Sequence, residues 1–180
     1  MSKHTVIGFF DEFSPQTTSN TKRMWSRERK PIIKNTSKIR ANTFGIFSCN
    51  GNSILTYRDH STKEDVIAAL ELFMRANPGK RLVIILDNFS SHRAKLVQEF
   101  ALNNKICLVY LPPYSPDLNP IEQIWRAIKR EISETFILNF SHLTSIISEA
   151  FYDLITKKSY YEGWVKKYLS KNYSSKMFCN

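Results

Sequence analysis

Three acids sit where a fold could gather them. Asp87 closes the apolar run Arg81-Leu-Val-Ile-Ile-Leu, Asp11 ends Val6-Ile-Gly-Phe-Phe, and Glu122 lies inside Leu111-Pro-Pro-Tyr-Ser-Pro-Asp-Leu-Asn-Pro-Ile-Glu-Gln-Ile-Trp. An aliphatic run ending in a carboxylate is how an α/β sheet delivers an acid to the carboxyl edge of its strands, where sites in such folds collect. Carboxylates brought together repel unless they are protonated or bridged by cations, and an all-oxygen ligand set suits Mg²⁺ or Mn²⁺ rather than zinc. Two such ions roughly 3.5 to 4 Å apart can activate a water or a 3′-hydroxyl and stabilise the leaving oxygen in phosphodiester chemistry. The expectation is a shared site in which Asp11, Asp87 and Glu122 are both the metal ligands and the catalytic residues.

Each acid also has a structural explanation. Asn119 as N-cap, Pro120 at the first helical position and Glu122 at the third would make a capping pair. Asp87-Asn88 reads equally as a strand-to-turn transition, and Asp11-Glu12 as the point where a strand reaches water. Asp117 is a rival third ligand in a Pro-Asp turn. His92 either orients a ligand, phosphate or water near the Asp87 edge or is a partly exposed histidine at a helix start; Asn88, beside Asp87, is the other supporting residue expected there.

The 180 residues are 42% hydrophobic and 13% aromatic, which suits one folded domain with a sizeable core and excludes general disorder. The net charge is +10. Much of it falls between residues 22 and 40, where Lys22, Arg23, Arg27, Arg29, Lys30, Lys34, Lys38 and Arg40 face only Glu28. A cluster of this density gains affinity for nucleic acid by neutralising phosphates and releasing counterions, so a polyanion is the natural partner, the alternative being a solvated basic face with none. Arg23, Arg27, Arg29, Lys30 and Lys34 are the candidate phosphate contacts, and Trp25 either stacks on a base or packs beneath the loop. Cys49, Cys107 and Cys179 form no Cys-x-x-Cys pair, which fits reduced thiols in an intracellular protein, cytoplasmic or nucleoid-associated. No segment approaches the roughly 18 apolar residues of a membrane span.

The elements that would position these residues are legible in outline. Strands are expected at about 4 to 11, 42 to 49 and 52 to 58, the last two joined by an Asn50-Gly51 hairpin turn. Ser61-Thr-Lys-Glu64 has the form of a capping box ahead of a helix whose Val66, Ala69, Leu70 and Phe73 face the core until Asn77-Pro78-Gly79. The Asp87 strand follows, then a helix capped by Ser90 or Ser91 with Val97, Phe100 and Ala101 inward, and a strand at 106 to 111. A right-handed crossover makes those two strands parallel. A mixed five-stranded sheet of order 3-2-1-4-5, flanked by helices, sets Asp11 beside Asp87. Pro112, Pro113, Pro116 and Pro120 stiffen the next loop, and Ile121, Ile124, Trp125, Ile128 and Ile132 stripe the helix that carries Glu122. A further helix at about 141 to 156 and an aromatic, basic segment follow; Tyr160, Tyr161 and Trp164 there are core or partner surface.

Asp87-Asn-Phe-Ser-Ser-His92, the spacing from it to Glu122, and above all the Pro-rich motif ending at Trp125 resemble the catalytic core of Tc/mariner-type transposases, in particular their prokaryotic insertion-sequence relatives. The resemblance covers about residues 3 to 135 and implies a ribonuclease H-like α/β fold with an Asp-Asp-Glu metal triad at Asp11, Asp87 and Glu122, served by Mg²⁺ or Mn²⁺ as two ions. Asp117 matches a non-catalytic position of the motif. It implies cleavage of DNA at transposon ends and transfer of the strands to target DNA, in an active homodimer. The alternatives are a non-catalytic DNA-binding remnant and a nuclease or resolvase of the same fold. The chain is expected to be one catalytic domain over residues 1 to 180, with a helical C-terminal extension from about 136. The helix-turn-helix modules that such transposases carry ahead of the core are missing from this sequence, so a separate helix-turn-helix polypeptide is a further expected partner.

Overall fold

In a computed structural model, which describes residues 4–17 and 38–168 (backbone alone for Tyr160 and Tyr168), the described residues form three strands, then two helices interleaved with two more strands, then three helices. The basic candidates Arg23, Arg27, Arg29, Lys30 and Lys34, together with Trp25, lie outside the described residues. The strands are β1 (Thr5–Phe13), β2 (Asn42–Phe47), β3 (Ile54–Arg58), β4 (Arg81–Leu86) and β5 (Cys107–Tyr110). They form one sheet of order β3-β2-β1-β4-β5, as the sequence led us to expect. β1 pairs antiparallel with β2 and parallel with β4, and β4 pairs parallel with β5.

The sheet is covered on both faces. Helices α1 (Lys63–Ala76) and α2 (Lys95–Asn103) bury Val66, Ala69, Leu70, Phe73, Val97 and Ala101 against one face. Helices α3 (Ile121–Glu134) and α4 (Phe140–Thr156) cover the other, joined by Trp164 of α5 (Glu162–Tyr168), whose ring meets Phe9 edge-on at 4.8 Å. Tyr161 packs on Phe47 at 5.2 Å, so it and Trp164 belong to the core. Side chains alternate along β1: Phe9 and Phe13 enter the α3–α4 side and Phe10 the α1–α2 side. Asp11 and Glu12, next in that alternation, therefore leave the strand on opposite faces.

Two glycines let the helices approach the sheet. A Cβ on Gly8 would fall 2.9 Å from the Phe73 ring of α1, and one on Gly45 would fall 2.6 Å from the indole of Trp125 on α3. Gly45 is the cross-strand partner of Asp11. The indole also stacks on Phe13 at 5.0 Å and on Phe151 of α4 at 5.6 Å, which fixes α3 over the Asp11 end of β1.

Local details depart from expectation where side chains chose other partners. Asn50-Gly51 does not make a two-residue turn: the β2–β3 register, with Ile46 opposite Ile54, leaves a wider loop, closed by the Ser48 amide donating to Ser53 Oγ. The Asn50 side chain instead accepts from the Ile7 amide and donates to the Thr5 carbonyl, bracing β1. The capping box forms one residue later than read, between Thr62 and Asp65, while the Ser61 hydroxyl donates to Glu12. Neither Ser90 nor Ser91 caps α2, which starts after Ala94; residues 90 to 93 make a turn first.

Gly45→Ala should destabilise the fold by about 1–3 kcal/mol, because the added methyl overlaps an indole that is held on its other contacts. Urea unfolding with Trp fluorescence measures it; a loss below about 0.5 kcal/mol would mean that α3 is free to shift.

Candidate active site

β4 ends at Leu86, and Asp87 is the first residue beyond it. In the β1–β4 register Phe9 stands opposite Ile85, and continuing that pairing by two residues sets Asp11 beside Asp87 at the carboxyl edge. Glu122 arrives from the opposite direction, in the first turn of α3. Asn119 ties that turn down: its buried side-chain amide donates to the Phe10 carbonyl at 3.0 Å, one residue before Asp11. Asn119 therefore does not act as the helix cap, and α3 has no side-chain cap hydrogen bond. The capping explanation of Glu122 lapses.

Asp11, Asp87 and Glu122 line one cleft of about 590 Å³, along with Asn88, Asn119 and the Pro-rich loop from Leu111 to Pro116. Asp117 stays exposed in the 3₁₀ turn Pro116–Leu118 and does not line it. Asn88 donates its side-chain amide to the Leu111 carbonyl at 2.7 Å, joining the segment after β4 to the start of the loop.

The electrostatics follow from this crowding. Burial, then the charges of Glu122 and Asp87, push the Asp11 carboxyl up to about 8, so in the metal-free protein it is mostly protonated at neutral pH. Burial also raises Glu122; Arg126 and Lys129, farther along α3, oppose the rise, while Asp87 adds to it. Asp87 is held below the usual carboxylate range, first by its hydrogen bond to His92.

His92 is 2% exposed and sits in the turn after β4, not at a helix start. Its Nδ1 lies 2.6 Å from Asp87 Oδ1 and its Nε2 3.2 Å from Glu12 Oε1. Burial works against the charged ring, but the hydrogen bonds to Asp87 and Glu12 outweigh it and lift the imidazole to about 9. A doubly protonated ring then donates to both carboxylates. The Phe89 amide donates to the same Asp87 oxygen at 3.1 Å, and the Tyr110 hydroxyl donates to the His92 carbonyl. Glu12 is the residue that sequence reasoning missed, having read it as a strand end in water. The strand alternation that turns it away from Asp11 was the available signal.

Among the described residues, no three His, Cys, Asp or Glu side chains are drawn together closely enough to hold a metal ion. The chemistry of Asp11, Asp87 and Glu122 nonetheless fits a hard cation: the donors are carboxylates, and the ionised form of part-buried Asp11 is opposed by desolvation and by the charges of Glu122 and Asp87. Among the same residues no helix is long and apolar enough to cross a membrane.

The sequence is 31% identical over 75 residues to the Tcb2 transposase of a transposable element in Caenorhabditis briggsae, a match spanning 41% of this chain and 28% of that protein. The fold is similar to that in the crystal structure of the Mos1 Strand Transfer Complex, with a TM-score of 0.67 at 18% identity over 99% of this chain and 56% of that one. It is also similar to the Mos1 mariner paired end complex with Mn, with a TM-score of 0.66 at 16% identity over 97% of this chain and 56% of that one. The chain thus spans little more than half of these two structures and 28% of the curated relative. The family profile described as DDE superfamily endonuclease matches residues 6–144, a span that runs from the start of β1 into α4 and contains every acid of the cleft, and the chain belongs to that family, with the ribonuclease H-like fold of the Mos1 structures.

Proposed function

We propose that this chain is the catalytic domain, over residues 1 to 180, of a cut-and-paste DNA transposase that cleaves strands at transposon ends and joins the 3′-hydroxyls to target DNA. The observation that carries the reading is the convergence of Asp11, Asp87 and Glu122 on one cleft at the carboxyl edge of the sheet. These three would hold Mg²⁺ or Mn²⁺, two ions in the catalytic complex; the similarity to a Mos1 complex containing Mn supports that choice. Such ions supply activation of a water or 3′-hydroxyl and stabilisation of the leaving oxygen. The protein's own part is to hold the carboxylates. His92 and the Phe89 amide fix Asp87 through one oxygen, Asn119 anchors the turn bearing Glu122 to β1, and Asp11 must give up its proton before it can ligate.

DNA is the substrate and the partner in this reading, and the Mos1 likenesses, a strand transfer complex and a paired end complex, support it along with an active homodimer. A separate helix-turn-helix polypeptide would recognise the transposon ends, and the setting is intracellular, by the nucleoid. Phosphates would be met by Arg23, Arg27, Arg29, Lys30 and Lys34, and by the exposed Arg126, Lys129 and Arg130 of α3.

Glu122→Gln tests the role of the third acid. With no capping bond to lose, it should change stability by less than about 0.5 kcal/mol while abolishing Mg²⁺-dependent nicking of labelled DNA. Nicking that survives would make Glu122 structural, and a wild-type chain that binds DNA without cutting it would be a remnant.

The pH dependence of the metal-free fold tests Asp11. Its folded pKa, about 8, lies above the unfolded value, so the folded state holds the extra proton and stability falls as pH rises from about 4 to 8. Asp11→Asn removes that slope and should leave the variant more stable than wild type by about 1–3 kcal/mol at pH 8, read by urea unfolding. Mg²⁺ should stabilise wild type and not the variant. Parallel pH curves would show that Asp11 ionises freely.

Binding to DNA should be strongly salt-dependent and largely independent of sequence. Neutralising Arg23, Arg27 and Arg29 together should weaken binding to inverted-repeat and scrambled duplexes alike and lower the salt slope by up to about three. A large preference for the repeat that persists at high salt would place sequence recognition in this chain.

A further inference from the structure

Two aromatic side chains border the cleft without serving the core. Tyr114 is 103% exposed and Phe89 is 52% exposed, and both line the cavity that the three acids share. Single exposed apolar residues are ordinary. These two differ in being held in place at a charged site. The backbone of Tyr114 is in the left-handed region, with φ of 56°, which a residue with a Cβ adopts at a cost and which glycine would adopt freely. The strain is kept in a loop stiffened by Pro112, Pro113 and Pro116, and the tyrosine gains no burial there. Phe89 is anchored from the other border: its amide bonds Asp87 and its ring meets His92 edge-on at 5.9 Å.

We infer that Tyr114 and Phe89 form a stacking site for unpaired nucleobases next to the scissile phosphate, which holds the strand end against the carboxylates after the duplex is opened there. The inference rests on the DNA reading above. The occupant follows from the surroundings. A cleft whose lining includes three carboxylates and Arg93 is a poor seat for an apolar protein surface, whereas a nucleotide brings a flat face for the rings and a phosphate for the arginine and for the acids' cations. Stacking on aromatic side chains is tolerant of base identity, since every base has a π-face. That suits a chain whose described residues include no groove-reading element beyond the catalytic sheet and its helices.

The test uses the full chain, with Ca²⁺ as the hard cation, and two duplexes of equal length: one ending in an unpaired 2-aminopurine nucleotide, the other fully paired. Wild type should quench the 2-aminopurine on binding. Tyr114→Gly should abolish most of the quenching, weaken binding to the unpaired-end duplex by about fivefold or more, and alter binding to the paired duplex by less than about twofold. Tyr114→Trp should restore quenching, and Phe89→Ala should reduce it. Because Tyr114→Gly relieves the backbone strain, its melting temperature should equal or exceed that of wild type, which separates lost stacking from lost folding. Unchanged quenching in Tyr114→Gly, or an equal loss on both duplexes, overturns the stacking site. Failure of wild type to bind either duplex overturns the DNA reading itself.

Discussion

Repulsion between like charges is the constraint that the architecture answers. Three carboxylates are brought to one edge of a sheet, and the fold meets the cost differently for each. Asp87 is exposed enough to be hydrated and is bonded to a buried cationic imidazole. Glu122 lies on a helix whose next turns carry Arg126 and Lys129. Asp11, wedged in between, keeps its proton. The arrangement is at rest only while one acid is neutral, and a hard cation offers the other way to balance it.

Strand alternation lets one dipeptide serve two faces. Asp11 turns toward α3 and Glu122, while Glu12 turns toward α1 and α2, where it meets His92 and the Ser61 hydroxyl. His92 then carries the connection back to Asp87. The edge is thus braced through the sheet, from the beginning of α1 to the end of β4, by side chains that never enter the cleft.

The sheet order and the acids were legible because both depend on long, strong patterns: apolar runs, a βαβ crossover, and a Pro-rich motif with an isoleucine and tryptophan stripe behind it. Features decided by a single side chain's choice of partner were not. Asn50 preferred the backbone of β1 to a tight turn, and Thr62 with Asp65 took the cap that Ser61 gave up for Glu12. Asn119 is the clearest case. Its place before Pro120 reads as a cap, yet its amide reaches across the sequence to Phe10, a contact that exists only once α3 lies on β1. Local sequence holds no record of such a partner, since the competing hydrogen bond comes from tertiary packing.

The pairing of β1 with β4 also makes the site depend on the fold as a whole. Thr5 pairs with Arg81 across the whole β2–β3 hairpin and α1, and a parallel pairing over so long a stretch must offset a large loop-closure entropy. Trp125 can settle over Gly45 only on a sheet that already contains β1 and β2. The acids therefore share a cleft only through contacts between segments distant in sequence. An unfolded chain carries the same carboxylates scattered along an open polymer, and the shared cleft exists only where the fold has brought β1, β4 and α3 together.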